Sequence, residues 1–277
     1  MSSWLLIIVS IIVAWVASLY KILNASRSQS NADDFLGTGE KRNVLLVIAH
    51  PDDESMFFSP TINYLISRGH NVHILCMSTG NADGIGNIRK DELYHACAVL
   101  KIPLKQVKVL DHVDFQDGFG KLWNRNLMAK IVEEEVIAHA INLILTFDNY
   151  GVSGHCNHRD VHHGICNFLS KTSGRDIETW ELISTNILRK YIGPLDIWLS
   201  IFSATHHSGS QMNCLLNEHP RKSFQAMSQH LSQWVWYSLY SVLYINSTQL
   251  KRISLTNTTS NFAGFGSCLY HSPVTLM

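Results

Sequence analysis

The chain has 277 residues, enough for one full α/β domain with additions or for two small domains. With 46% apolar and 16% charged residues it is a folding sequence rather than a disordered one, and its formal net charge of zero excludes a global basic field that would hold nucleic acid. Six cysteines, at 76, 97, 156, 166, 214 and 268, include no C-x-x-C pair, which argues for reduced thiols in a cytosol-facing domain.

The first element is an apolar run, Trp4–Tyr20, of roughly 17 residues without a charge, near the lower length limit for a bilayer-spanning helix. Trp4, Trp15 and Tyr20 suit a membrane interface. A cleaved signal peptide competes with this reading, but it would want a positive N-terminal flank and Met1-Ser2-Ser3 has none. Lys21 and Arg27 follow the run, so the positive-inside rule places what comes after it in the cytosol. Asn24, Asn246 and Asn257 begin N-x-[ST] triplets, which matter only in a luminal topology. The expectation is a transmembrane signal-anchor over residues 1–21 and a polar linker over 22–42.

Strand-like and helix-like patterns then alternate. Strands are expected at Val44–Ala49, Val72–Met77, Val107–Leu110 and Leu143–Thr146. Between and after them, helices are expected at Pro60–Arg68, Ile88–Leu100 and Leu122–His139, and from near His158 to Leu169. This order predicts a doubly wound, mostly parallel, Rossmann-like sheet. Further on, Trp180–Ile187 and Met212–Leu216 read as strands, and Pro220 suits the first turn of a helix covering Phe224, Met227 and Leu231. Trp234–Ile245 is aromatic and uncharged; it reads first as core, and more sharply as a surface that dips into a membrane interface. From Asn246 onward Ser, Thr and Asn dominate, so the domain is expected to end at 245 and a poorly ordered tail to fill 246–277.

Two clusters carry the chemistry. Ala49-His50-Pro51-Asp52-Asp53-Glu54 follows the first strand, and Gly154-His155-Cys156-Asn157-His158 follows the strand at Leu143–Thr146. Both therefore lie at strand ends, where an open α/β sheet places its active site. His50 and Asp53 are good Zn²⁺ ligands, and Asp52 between them can take a proton from a metal-bound water. The competing reading makes Asp52, Asp53 and Glu54 the acidic first turn of a helix, which suits Glu54 best. One of His155 and His158 can complete a His-Asp-His site, and the other can act as oxyanion donor or acid. An i,i+4 pair of His158 and His162 is a weaker metal site, since no acid of the H-E-x-x-H type intervenes. Ten other histidines, His230 among them, have no partner spacing and receive no role.

These motifs resemble the LmbE-like (PIG-L) family of zinc-dependent de-N-acetylases, from about Asn43 to about Gln233. The resemblance includes Ser78-Thr79-Gly80-Asn81, Arg89-Lys90-Asp91-Glu92, Thr146-Phe147-Asp148 and Gly151-Val152-Ser153-Gly154-His155. The apolar N-terminus and Asn186-Ile187-Leu188-Arg189-Lys190-Tyr191 resemble its eukaryotic branch, which acts on N-acetylglucosaminyl-phosphatidylinositol at the endoplasmic reticulum, the second step of GPI-anchor synthesis. The resemblance implies that His50, Asp53 and His158 bind Zn²⁺ or another divalent transition metal, that Asp52 is the base and that His155 is the electrophilic or acid partner. It places Arg89 near the substrate's phosphate or inositol side. It also implies a glycolipid substrate and a membrane-bound enzyme, with no nucleic acid; it names no protein partner. Two positions depart from the bacterial members, Ser153 standing where they have tyrosine and Asn157 where they have an acid. A soluble N-acetylated sugar as substrate and a non-catalytic anchored subunit are the alternatives. A dinucleotide enzyme is disfavoured because no G-x-G-x-x-G follows the first strand.

Overall fold

A computed structural model describes residues 3–24, 36, 40–118, 120–172, 177–185, 195–196, 198–199, 202, 212–234 and 247–253. The expected Asn186–Tyr191 motif, residues 235–245 of the aromatic stretch and most of the 22–42 linker lie outside these.

Helix α1 spans Ser3–Asn24. Then come β1 (Asn43–Ile48), α2 (Asp53–Met56), α3 (Ser59–Ser67), β2 (Asn71–Cys76), α4 (Gly86–Leu100), β3 (Val107–Val109), α5 (Arg125–Ala138) and β4 (Leu143–Phe147). A short helix α6 (Gly151–Gly154) leads into α7 (Cys156–Lys171), followed by β5 (Glu178–Leu182), β6 (Met212–Leu216), α8 (Pro220–Met227) and β7 (Ser247–Arg252).

The seven strands form one sheet in the order β3-β2-β1-β4-β5-β7-β6. The first five strands pair in parallel, while β7 runs antiparallel to both β5 and β6. Central strands β1 and β4 are apolar along their length because helices cover both faces of a parallel sheet, and every residue of β4 is buried. Strand order reverses between β1 and β4, whose neighbours are β2 and β5. The loops leaving those two strands therefore open the crevice in which α/β folds bind ligands. The mostly parallel α/β sheet is as expected from the alternation of patterns.

Two expectations are corrected. The tail expected to begin at Asn246 contains β7, which inserts between β5 and β6 with Thr248 and Leu250 buried. A single apolar side chain, Leu250, is too weak a local signal to mark a strand; neighbours on both sides supply what composition lacks. The second concerns the anchor: among the described residues no helix is long and apolar enough to cross a membrane. The uncharged run of about 17 residues spans only ~26 Å as a helix, short of a ~30 Å hydrocarbon core. The structure shows instead a helix with exposed apolar side chains, among them Ile8 and Val13. Toward its end Trp198 Nε1 donates to Ser18 Oγ (2.8 Å) and the Lys21 ammonium lies 4.4 Å from the centre of the Trp198 ring.

Of the six cysteines, the five that are described are free thiols, in keeping with the reading from spacing.

Candidate active site

The two clusters meet at the strand-order reversal. His50 leaves the end of β1, Asp53 opens α2, and His155 and His158 stand at the start of α7 beyond β4. His50, Asp53 and His158 are all buried. One ring nitrogen from each of His50, His155 and His158 can be chosen so that all three lie within 4.8 Å of one another. Asp53 Oδ1 is 3.2 Å from His158 Nε2.

Local chemistry explains this convergence. Asp53 Oδ2 accepts from the backbone N–H of Ala49 (3.0 Å) and His50 (2.9 Å), which turns Oδ1 toward His158. His158 donates from Nδ1 to Gly151 O (3.1 Å), so Nε2 faces the centre. Phe147 stacks flat on its ring, with centroids 4.2 Å apart. Gly151 sits at φ +66°, and a Cβ there would come 2.7 Å from His158 Cβ; the loop approaches His158 closely only because it has none.

The donor set fits a metal ion. Imidazoles and a carboxylate, each oriented by a second hydrogen bond, suit a borderline divalent cation. The structure groups His155 with His50 and His158, whereas sequence spacing grouped Asp53 with them; Asp53 joins this group through His158.

Electrostatics separates the carboxylates. Burial and the adjacent Asp53 charge raise Asp52 to about 7, against a lowering by Arg89. Asp53 is driven the other way: burial would raise it, but the charge and hydrogen bond of His158, with help from His50, hold it well below the usual range. His158 is raised because Asp53 outweighs the effect of burial. Burial and the neighbouring His50 and His158 lower His155 to about 4, so it stands neutral at pH 7. Two carboxylates side by side thus become one proton acceptor poised near neutrality and one permanent anion.

Arg89 is pinned rather than projecting. It donates from Nη1 to Gly80 O (2.8 Å) and from Nη2 to Pro51 O (3.0 Å) and Gln233 Oε1 (3.2 Å). Asp117 Oδ2 and Asp52 Oδ2 lie 3.5 and 3.6 Å from the guanidinium. Gly80, at φ +65°, leaves room for it.

Several residues at the centre had no signal in the sequence. Asp117, in the loop after β3, lies 3.2 Å from His50 Nε2 and accepts from Asn157 Nδ2 at 3.3 Å. Asn157 Nδ2 in turn is 3.0 Å from His50 Nε2. The acid absent at position 157 is thus matched by one from a different loop. Burial would raise Asp117, yet His50 and Arg89 lower it to about 2. His230, given no role from spacing, is fully buried with Nε2 2.6 Å from Glu54 Oε1. Glu54 lies in the acidic first turn of α2, as that reading had it, and is in addition the buried partner of His230. His162 donates from Nδ1 to Phe147 O (3.0 Å) and has Nε2 3.5 Å from Cys166 Sγ, so it turns away from the centre, against an i,i+4 metal pair with His158. Ser153 is exposed.

Residues 45–169 match the model of a family described as GlcNAc-PI de-N-acetylase. A probable N-acetylglucosaminyl-phosphatidylinositol de-N-acetylase of Schizosaccharomyces pombe is 34% identical over 240 residues, 83% of this chain and 94% of that protein. The N-acetylglucosaminyl-phosphatidylinositol de-N-acetylase of Bos taurus is 36% identical over 220 residues, 79% of this chain and 84% of the relative. Among solved structures, N,N'-diacetylchitobiose deacetylase from Pyrococcus horikoshii superposes over 86% of this chain and 92% of its own with a TM-score of 0.57; at 12% identity the likeness is one of fold.

Proposed function

This chain belongs to the GlcNAc-PI de-N-acetylase family, and we propose that it hydrolyses the N-acetyl group of N-acetylglucosaminyl-phosphatidylinositol, releasing acetate and the free amino sugar on its lipid. In this reading it performs the second step of GPI-anchor synthesis. The observation that carries it is the placing of a carboxylate poised near neutrality, Asp52, beside a buried histidine and carboxylate donor set at the sheet's switch point.

In this reading His50, Asp53 and His158 hold Zn²⁺ or another divalent transition metal. When bound, the ion polarises the acetamide carbonyl and lowers the pKa of its water. Asp52 takes the proton of the attacking water. His155, neutral at pH 7, gives a hydrogen bond to the oxyanion but holds no spare proton. The proton collected by Asp52 passes to the sugar nitrogen as the C–N bond breaks. Arg89, tied to Pro51 O and facing the Asp52 carboxylate, holds that base in place, and any pull on the substrate's phosphate is exerted from the floor of the site.

The exposed apolar face of α1 attaches the enzyme to the endoplasmic reticulum membrane, where a lipid substrate resides. Lys21 in its last turn and Arg27 beyond suit the anionic cytosolic leaflet, and in this reading the catalytic domain faces the cytosol. The decisive assay uses metal-stripped protein on detergent-dispersed N-acetylglucosaminyl-phosphatidylinositol, with each metal added back and free N-acetylglucosamine as control. Restored release of acetate from the lipid supports the reading. Activity equal on the free sugar, or undiminished after stripping, refutes the substrate or the metal in turn. Glycosylation at Asn246 or Asn257 in cells would overturn the orientation.

A further inference from the structure

Asp52 stands at φ +116°, in a region that side chains other than glycine rarely occupy. Something must hold it there. Its N–H donates to Glu54 Oε2 (3.1 Å), and its carbonyl accepts from the N–H groups of Ser55 (3.0 Å) and Met56 (2.8 Å). Glu54 is itself fully buried, a costly place for a carboxylate without partners. Its other oxygen, Oε1, accepts from Ser55 Oγ (2.6 Å) and lies 2.6 Å from His230 Nε2. His230 arrives from the far end of the chain, on a strap that closes over the same centre. On that strap Ser232 N and Oγ donate to Glu92 (2.7 and 2.6 Å), and Gln233 bridges Glu92 Oε2 (3.0 Å) to Arg89 Nη2 (3.2 Å).

We propose that His230 is a positioning residue for the hydrolytic base: through Glu54 it locks the Asp52 backbone in its left-handed conformation, and so aims the Asp52 carboxylate. The strap 230–233 is then a working part of the site, although it lies beyond the 45–169 segment that carries the motifs. The alternative, that the Glu54–His230 pair merely fills the core, does not account for the division of labour at Glu54. One oxygen is occupied by His230 and Ser55, which leaves the other fixed on the Asp52 N–H.

The catalytic half of the claim rests on the reading that Asp52 is the base, so the test has an arm that does not need turnover. In the full chain, His230→Leu keeps the volume and removes the donor, while His230→Gln keeps an N–H able to reach Glu54. Amide exchange of Asp52, followed by NMR, should quicken about tenfold or more in His230→Leu while the β1 amides stay protected, and His230→Gln should restore it. On the lipid substrate, kcat per metal-loaded chain should fall at least about tenfold in His230→Leu with KM and metal content unchanged, as for loss of an outer hydrogen-bond partner. Glu54→Gln combined with His230→Leu should be no worse than the poorer single variant, because the two act as a unit. Unchanged Asp52 exchange in His230→Leu overturns the positioning claim outright. Altered exchange with unchanged kcat shows that the lock exists but does not serve catalysis. A wild-type protein without lipid deacetylase activity refutes the substrate reading and leaves the exchange result to decide the lock. If His230→Leu does not fold, His230→Gln against His230→Asn, whose shorter amide cannot reach Glu54, makes the same comparison.

Discussion

Asp52→Asn is the substitution that separates proton transfer from everything else at the centre. Asparagine has nearly the same shape and is among the side chains most tolerant of positive φ, so the backbone at +116° is retained. The N–H of residue 52 still donates to Glu54, and Arg89 keeps Gly80 O, Pro51 O and the Asp117 carboxylate as partners. Removing the carboxylate also removes a like charge next to Asp53, one of the causes that raise Asp52 to about 7. Folding and metal content should therefore be unchanged. In the proposed mechanism, what disappears is the acceptor for the water's proton. A positioned base contributes roughly 10²–10⁴ in rate, which at about 1.36 kcal/mol per decade is about 2.7–5.4 kcal/mol of transition-state stabilisation. The assay is single-turnover acetate release from the lipid substrate at saturating enzyme, paired with metal per chain by elemental analysis. Turnover within about tenfold of wild type with metal retained would refute the base assignment. Loss of metal together with activity would refute it differently, by making Asp52 a ligand.

The other expectations test metal, backbone, charge and membrane in turn. His158→Ala removes the group that compensates buried Asp53, so bound metal should be lost and stability should fall by about 3–5 kcal/mol, read by elemental analysis and denaturant melts. Gly151→Ala combines a φ of +66° with a 2.7 Å approach to His158 Cβ; metal affinity should weaken about tenfold or more, measured by competition with a chelator. His230 has its pKa raised above 6.5, since Glu54 outweighs burial. Its contribution to stability is therefore complete below pH 6.5 and is lost as pH rises through the raised value. Melting temperature should decline across that upper window in wild type, and the decline should vanish in His230→Leu; a parallel decline in both would contradict the pair. Ile8→Lys with Ile12→Lys places two charges on the exposed face of α1 and should abolish flotation with liposomes while leaving turnover in detergent intact.

What could be read from the sequence was local, and what could not was assembled from distant segments. The apolar runs of β1 and β4 announce buried parallel strands, and the clusters beside them fall at the switch point by topology alone. The closeness of His50 to Asp53, and of His155 to His158, follows from their spacing within single turns. Strand β7 was hidden because its place depends on β5 and β6, not on its own composition. Asp117 carries no periodicity and meets His50 only after the β3 loop folds across the site. His230 is 176 positions from Glu54 along the chain, so no window of sequence contains both.

That division has a physical reason. A ligand set can be encoded within a turn because three or four residues suffice to aim it. Charges buried beside it cannot be compensated from the same turn, where backbone geometry already fixes every side chain. Glu54 is compensated by His230, Asp52 by Arg89, and Arg89 in turn by Asp117 and Gln233. Each of these partners is supplied by another loop or by the C-terminal strap. A burial-driven shift such as that of Asp52 therefore depends on segments outside the motif. Grafting His50–Glu54 and His155–His158 onto a similar sheet without the strap should reproduce metal binding but not the reactive conformation of the base. Metal bound at native affinity, together with Asp52 amide exchange as slow as in the parent, would show instead that the motif alone sets its own geometry.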